Sequence, residues 1–272
     1  RANGAEFSSK RRLTPSPGKQ KAQPTPQQTP PSKKQLPTRK PTEQVKVLKR
    51  PEPLPFMGRV SLKTGSGFII GGGKYVVTNR HVIDKTGKLA VRSGTGEVRL
   101  ARIKRIAEKD DIAILELARP YPADYAISSS QMKDAMPGRA AIVMGFPLAG
   151  LVGWRHPSLT EGIVSKTSGL SDNPTMFLIT SKMNKGNSGG PIFDHTGNLI
   201  GIAVAKLDTA KIFDKKGHLP EDVNIGIKAS RLLEFLSGQE IDRAPQGDGI
   251  TNLEELYRSM LKKVVLVAGE SR

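Results

Sequence analysis

From about Phe56 onward the chain is a succession of short apolar or alternating runs, each closed by glycine or a polar turn. Eleven runs read as strands: 67–70, 75–77, 88–91, 97–106, 112–117, 140–144, 161–165, 176–180, 191–193, 199–205 and 224–227. Short β-branched runs separated by turn signals point to a barrel or sandwich and away from βαβ units. The spacing opens between about 120 and 138, which divides the strands into two barrels. Two helices follow. In 229–236, Leu232, Leu233 and Leu236 share a side, and that helix is expected to pack on the second barrel. In 251–263, Asn252, Glu254 and Glu255 open the helix, Leu253, Leu256, Met260 and Leu261 are its apolar positions, and Lys262-Lys263 close it.

Residues 1–53 have a different texture. They hold 10 of the 20 prolines and 13 Lys/Arg against three acids (Glu6, Glu43, Glu52), so about +10 of the net charge of +18 lies there. Their one aromatic residue is Phe7. Such a segment lacks the apolar surface to offset its ordering entropy, and it reads as a disordered, partly polyproline tail or linker. A basic arm of this kind is a solvated tether or a contact for an anionic surface or nucleic acid. Without aromatics between the cations, base stacking is not its mode. The organisation expected is therefore a tail at 1–53, a domain at 54–237 and an extension at 238–272 carrying one helix. The chain opens on Arg, as a processed or truncated product would.

The chain has no cysteine, which excludes disulfides and thiolate metal sites. It has four scattered histidines, so no metal or cofactor is expected. No run of 18 apolar residues is present, so no membrane span is expected either. A cysteine-free chain fits an exported bacterial protein, periplasmic or extracellular, better than a secreted animal one.

The run Lys185-Gly186-Asn187-Ser188-Gly189-Gly190-Pro191 sets a serine in a glycine-dense turn before an apolar strand. A serine hydroxyl is a poor nucleophile without a base to take its proton and donors to hold the oxyanion. Glycines at 186, 189 and 190 let the backbone turn sharply and aim the amides of Gly186 and Ser188 at one point. Taken alone, the motif is as well explained by a tight turn between strands. A base candidate stands upstream: His81 falls where the apolar run 74–83, read as a strand, gives out. His156, His195 and His218 lie in polar or proline-flanked stretches. The acid candidate is Asp111, which abuts the apolar run 112–117; Asp110 and Asp84 are the other contenders, Asp84 reading as a turn former.

The order His, Asp, Ser, with TNRHVI, DIAILEL and KGNSGGPIFD, resembles the chymotrypsin-fold serine peptidases, and most of all the bacterial trypsin-like peptidases of the HtrA/Do type. Gly65-Ser66-Gly67-Phe68, Met144-Gly145-Phe146-Pro147, 160–165, 199–203 and 224–230 extend the resemblance over about 56–237. It implies an all-β fold of two six-stranded antiparallel Greek-key barrels, with a cleft between them that takes His81 and Asp111 from the first and Ser188 from the second. It implies His81 as general base, Asp111 as its orienter, Ser188 as nucleophile and the 186–188 backbone (Gly186, Asn187, Ser188) as oxyanion hole. Polypeptides are then the substrates, and a homo-oligomer is compatible. Three departures stand out. The chain after 237 is too short for the PDZ domain such proteins typically carry. Lys185 replaces their usual proline. Lys182 lies on the segment that walls the primary specificity pocket, opposite Ala203, Val204 and Ala205, and the loop 206–222 is expected to edge that pocket. An ammonium group pointing inward would favour acidic residues there; one pointing to solvent leaves an aliphatic pocket.

Two other classes fit parts of this chain. One is a viral-type capsid protein with an RNA-binding arm and a self-cleaving chymotrypsin-like domain. The arm suits it, but 84 residues follow Ser188, whereas such a domain ends near its own active site. The other is an inactive binding module on the same scaffold, which three ordered triad residues disfavour.

Overall fold

The computed structural model describes residues 61–205, 224–236 and 250–271. The basic tail and the 206–222 loop lie outside the described residues. The strands form two closed antiparallel barrels of six. The first barrel contains β1 (Leu62–Ile70), β2 (Tyr75–Thr78), β3 (Thr86–Ser93), β4 (Val98–Ile106), β5 (Ala113–Leu117) and β12 (Val264–Ser271). The second contains β6 (Ala140–Gly145), β7 (Ser158–Lys166), β8 (Met176–Ile179), β9 (Pro191–Phe193), β10 (Leu199–Val204) and β11 (Asn224–Lys228). All eleven strands expected from the sequence are present, with shifts at their ends.

The twelfth strand was not expected. Residues 264–271, assigned from the sequence to an extension beyond the domain, insert between β1 and β3. Phe68 pairs with Val264 and Leu62 with Glu270 on one side; Ala90 pairs with Ala268 and Ser93 with Val265 on the other. Around the second barrel the order is β6-β7-β8-β11-β10-β9, and around the first it is β12-β1-β2-β5-β4-β3. The two orders coincide once β12 is counted as the first strand of its barrel. The far end of the sequence thus holds the place that β6, the leading strand, holds in the second barrel. The run Val264–Ala268 is short, and its partners are remote in sequence. Periodicity shows which face of a strand is buried but not which strands flank it.

Burial follows the strand period. Val265 and Val267 join Ile69, Val76, Val91 and Leu115 in a cluster drawn from the first barrel. Val264, Leu266 and Ala268 point the other way, into the largest cluster, with Phe68, Ile70 and Val77 of the first barrel and Ile142, Met144, Phe193 and Ile202 of the second. A third cluster belongs to the second barrel: Val143, Val164, Phe177, Ile192 and Ala203. β12 therefore closes one barrel and seals it against the other. Its four large apolar side chains are at most 1% exposed. Their burial is worth about 6–12 kcal/mol gross, the scale of a whole domain's net stability.

Among the described residues four α-helical segments accompany the strands. The 74–83 run, read as one strand, ends at Thr78 and turns into α1 (Arg80–Ile83). The others are α2 (Ala149–Val152), α3 (Ala229–Phe235) and α4 (Leu253–Met260). Helix α3 packs on β10 and β11 through Ala229 and Leu232. Helix α4 is shorter than the 251–263 expected. Asn252 caps it, accepting from the Glu255 amide at 2.9 Å, and Leu256 and Met260 are buried in the shared cluster. Among the described residues no helix is long and apolar enough to cross a membrane.

Candidate active site

His81 sits on α1, just past the end of β2. Its ring Nδ1 lies 2.5 Å from Asp111 Oδ2, and its backbone amide donates to Asp111 Oδ1 at 2.9 Å. Both oxygens of one carboxylate therefore hold one histidine, fixing ring and backbone together. Asn79, the residue before α1, donates through Nδ2 to the Asp111 carbonyl at 2.7 Å and fixes the acid's backbone as well. The other two acids go elsewhere. Asp110 turns to Arg231 on α3, at 2.8 Å. Asp84 ends α1 with its side chain exposed.

The turn carrying Ser188 packs directly against these elements. A Cβ on Gly189, at φ +84°, would lie 2.3 Å from the Ser66 carbonyl oxygen, 2.4 Å from Thr78 Oγ1 and 2.8 Å from the Asn79 nitrogen. Only glycine permits both that φ and that approach. Gly186, at φ +107°, is likewise pressed on Phe146, whose carbonyl oxygen a Cβ would meet at 2.4 Å.

Each peptide unit of the turn can be followed, since a planar trans peptide points its N–H opposite its C=O. The Lys185 carbonyl accepts from Leu148 N at 2.8 Å, so the Gly186 N–H faces away from Leu148. The Gly186 carbonyl accepts from Ser66 Oγ at 2.6 Å, and the Asn187 N–H donates to Asn184 O at 3.0 Å. The Asn187 carbonyl accepts from Gly190 N at 2.9 Å. The Ser188 carbonyl accepts from Ser66 N at 2.8 Å, and Gly189 N–H donates to Ala203 O at 2.9 Å. Every carbonyl from 185 to 188 is occupied. Among the described residues, the N–H groups of Gly186 and Ser188 make no backbone hydrogen bond. The Asn187 amide, included with them on sequence grounds, is committed to closing the turn and is not available.

The Ser188 hydroxyl accepts from the Ala205 amide at 3.2 Å, and among the described residues no hydrogen bond joins it to His81. The end of β10 thus lies against the turn that carries Ser188. Ala203 is locked into the turn at both its amide and its carbonyl, while Val204 and Ala205 are half-buried. The Lys182 side chain is exposed, and its carbonyl accepts from Thr160 Oγ1 at 2.8 Å. Met183 packs instead against the second-barrel cluster that contains Ala203. A methionine in a lysine-rich loop carries no periodic signal, so its inward turn was not legible from the sequence. Ser66, Thr78 and Asn79 were missed for a related reason: they are polar residues at 0% exposure, and their partners belong to other elements. Among the described residues no three His, Asp or Glu side chains converge as a metal site would need.

The family model of the trypsin-like peptidase domain matches residues 65–202. An uncharacterised protein, y4bJ, of Sinorhizobium fredii is 31% identical over 73% of this chain and 31% of its own length. Serine protease HTRA1B of Danio rerio is 27% identical over 79% of the chain and 43% of its own length. Mitochondrial serine protease HTRA2 of Bos taurus is 28% identical over 67% and 38%. The chain thus spans less than half the length of these relatives. Two solved structures share its fold, each at 24% identity. A serine endoprotease from Yersinia pestis covers 62% of this chain and 55% of its own at TM-score 0.50. The HtrA-type protease AlgW with a decapeptide covers 63% and 50% at TM-score 0.51.

Proposed function

Because the chain belongs to the trypsin-like peptidase family, we propose that it is a serine endopeptidase of the HtrA type, cutting polypeptides through an acyl-enzyme on Ser188. The observation that carries the reading is the 186–190 turn, where, among the described residues, the Gly186 and Ser188 amides alone make no backbone hydrogen bond. Ser188 Oγ attacks the scissile carbonyl, and His81 takes its proton through the ring nitrogen that Asp111 leaves free. The carbonyl oxygen becomes an oxyanion held by the amides of Gly186 and Ser188. His81 then protonates the leaving amine. The acyl group departs when water, deprotonated by His81, attacks it. Asp111 keeps the ring in the productive tautomer and stabilises the imidazolium.

Substrate engages this machinery at the end of β10. The Ala205 amide that now donates to Ser188 Oγ turns to the substrate backbone, which frees the hydroxyl for His81. Met183 and Ala203 border an aliphatic primary pocket, and the exposed Lys182 stays out of it. Export from a bacterial cell suits the cysteine-free sequence. Attraction of the basic tail to an anionic surface or nucleic acid rests on its charge alone. No observation favours the capsid-type reading.

Labelling with a fluorophosphonate tests the reading. Wild type is expected to label and to hydrolyse a denatured protein, and Ser188→Ala to do neither while keeping its melting curve. Turnover retained in Ser188→Ala would sink the assignment.

A further inference from the structure

Ser66 makes more polar contacts with the nucleophile turn than any side chain of the proposed triad, yet it touches no reacting atom. Its Oγ donates to the Gly186 carbonyl at 2.6 Å and accepts from the Phe146 amide at 2.8 Å. Its N–H donates to the Ser188 carbonyl at 2.8 Å, and its own carbonyl accepts from Thr78 Oγ1 at 2.7 Å. The residue is 0% exposed. It lies on β1, in the barrel that carries His81 and Asp111, whereas Gly186, Ser188 and Phe146 belong to the other half of the molecule.

We propose that Ser66 is the positioning residue that sets the oxyanion donors in register with the base. This rests on the endopeptidase reading above. The donors belong to peptides 185–186 and 187–188, and these alternate with 186–187 and 188–189. Ser66 fixes the carbonyls of both alternating units, one through its hydroxyl and one through its amide. Rotation of the 186–187 unit would swing both neighbouring N–H groups, because glycine at φ +107° on one side offers little steric resistance to it. The other ties on the turn come from its own half: Leu148, Asn184, Gly190 and Ala203. They define the turn's shape but not its distance from His81. Ser66 ties it to the first barrel, one strand away from His81. Its surroundings leave no slack: a Cβ on Gly145 would stand 2.6 Å from Ser66 Oγ.

Ser66→Ala removes the hydroxyl link and leaves the amide link. Tyr121→Phe is the control, deleting one hydrogen bond of the same barrel, from the hydroxyl of the buried Tyr121 to the Glu97 carbonyl at 2.7 Å, that no group of the turn shares. The readouts are kcat and KM on a fluorogenic peptide, the inhibition constant of a peptidyl boronic acid that mimics the tetrahedral oxyanion, and the melting temperature. Loss of a whole oxyanion donor costs about 10²–10³ in kcat, so misplacing donors is expected to cost about 10–100-fold. In Ser66→Ala, kcat should fall by that factor with KM within about twofold. The boronate should weaken in parallel, and the pH profile of kcat should keep its shape because the base is untouched. Tyr121→Phe should lose melting temperature but not kcat. Unchanged kcat and boronate affinity in Ser66→Ala would overturn the proposal, as would equal losses in Tyr121→Phe. A wild type that neither labels nor turns over would overturn the endopeptidase reading and this proposal with it.

Discussion

Asp111 accepts from both nitrogens that His81 presents to it, the ring Nδ1 and the backbone amide; Asp110, one residue earlier, faces Arg231 on α3. Their substitutions should therefore fail in different ways. Asp111→Asn keeps the shape but offers the histidine a donor where it needs an acceptor, and kcat should drop on the order of 10³–10⁴. Asp84→Asn should stay within a few-fold of wild type. Asp110→Asn should lower stability by about 1–3 kcal/mol, because the acid's side chain is 9% exposed and its partner 28%. Turnover per folded molecule should hold. Kinetics on a short peptide beside melting curves separate the three, and a collapse of kcat in Asp84→Asn would reassign the acid. The segment proposed to wall the primary pocket yields a second contrast. Lys182 is exposed and Met183 packs inward. In a peptide library varied before the scissile bond, Lys182→Ala should leave the preference unchanged. Met183→Ala should extend it to larger side chains. A loss of acidic-site cleavage in Lys182→Ala alone would put the ammonium group back in the pocket.

At the scale of elements, β12 matters most. It lies between β1 and β3 and faces two apolar clusters at once. Without it, β1 and β3 would each expose an unpaired edge, and the barrel that holds His81 and Asp111 would stand open. A chain ending at Lys263 is expected to lose its cooperative melt and its fluorophosphonate labelling. Val267→Asp, which sets a carboxylate at a position 0% exposed, should do nearly the same, since a buried unpaired charge costs several kcal/mol. Cooperative melting and full labelling of the shortened chain would show the strand to be dispensable. Two side chains of β4 and the loop after it add to the joint between the halves. Arg105 lies 4.4 Å from the Phe235 ring and bonds the Phe235 carbonyl, and Asp110 holds Arg231. Both fasten α3 to the barrel that carries His81.

Over the whole molecule, the polar, proline-rich residues 1–53 contrast with the apolar runs that follow. A chain starting at Glu52 is expected to keep most of its rate on a short peptide. An insoluble or inactive product would mean that the tail contributes to folding or assembly. The alternating runs determined eleven of the twelve strands and their division into two barrels, because the period of a strand is a local property. The glycine-framed Ser188 and the placement of His81 and Asp111 beside apolar runs were also local, and so legible. What lay beyond the sequence was every pairing between remote segments. β12 displays a strand's composition, but nothing near it says that β1 and β3 leave a gap for it. Ser66 reads as one more polar residue in a Gly-Ser-Gly run until the fold puts Gly186 and Phe146 within reach of its hydroxyl. Met183 and Lys182 are adjacent in sequence, and only packing decides which turns inward. Hydrophobic period fixes which face of an element is buried; closure of the barrels fixes what that face meets, and tertiary structure alone decides that.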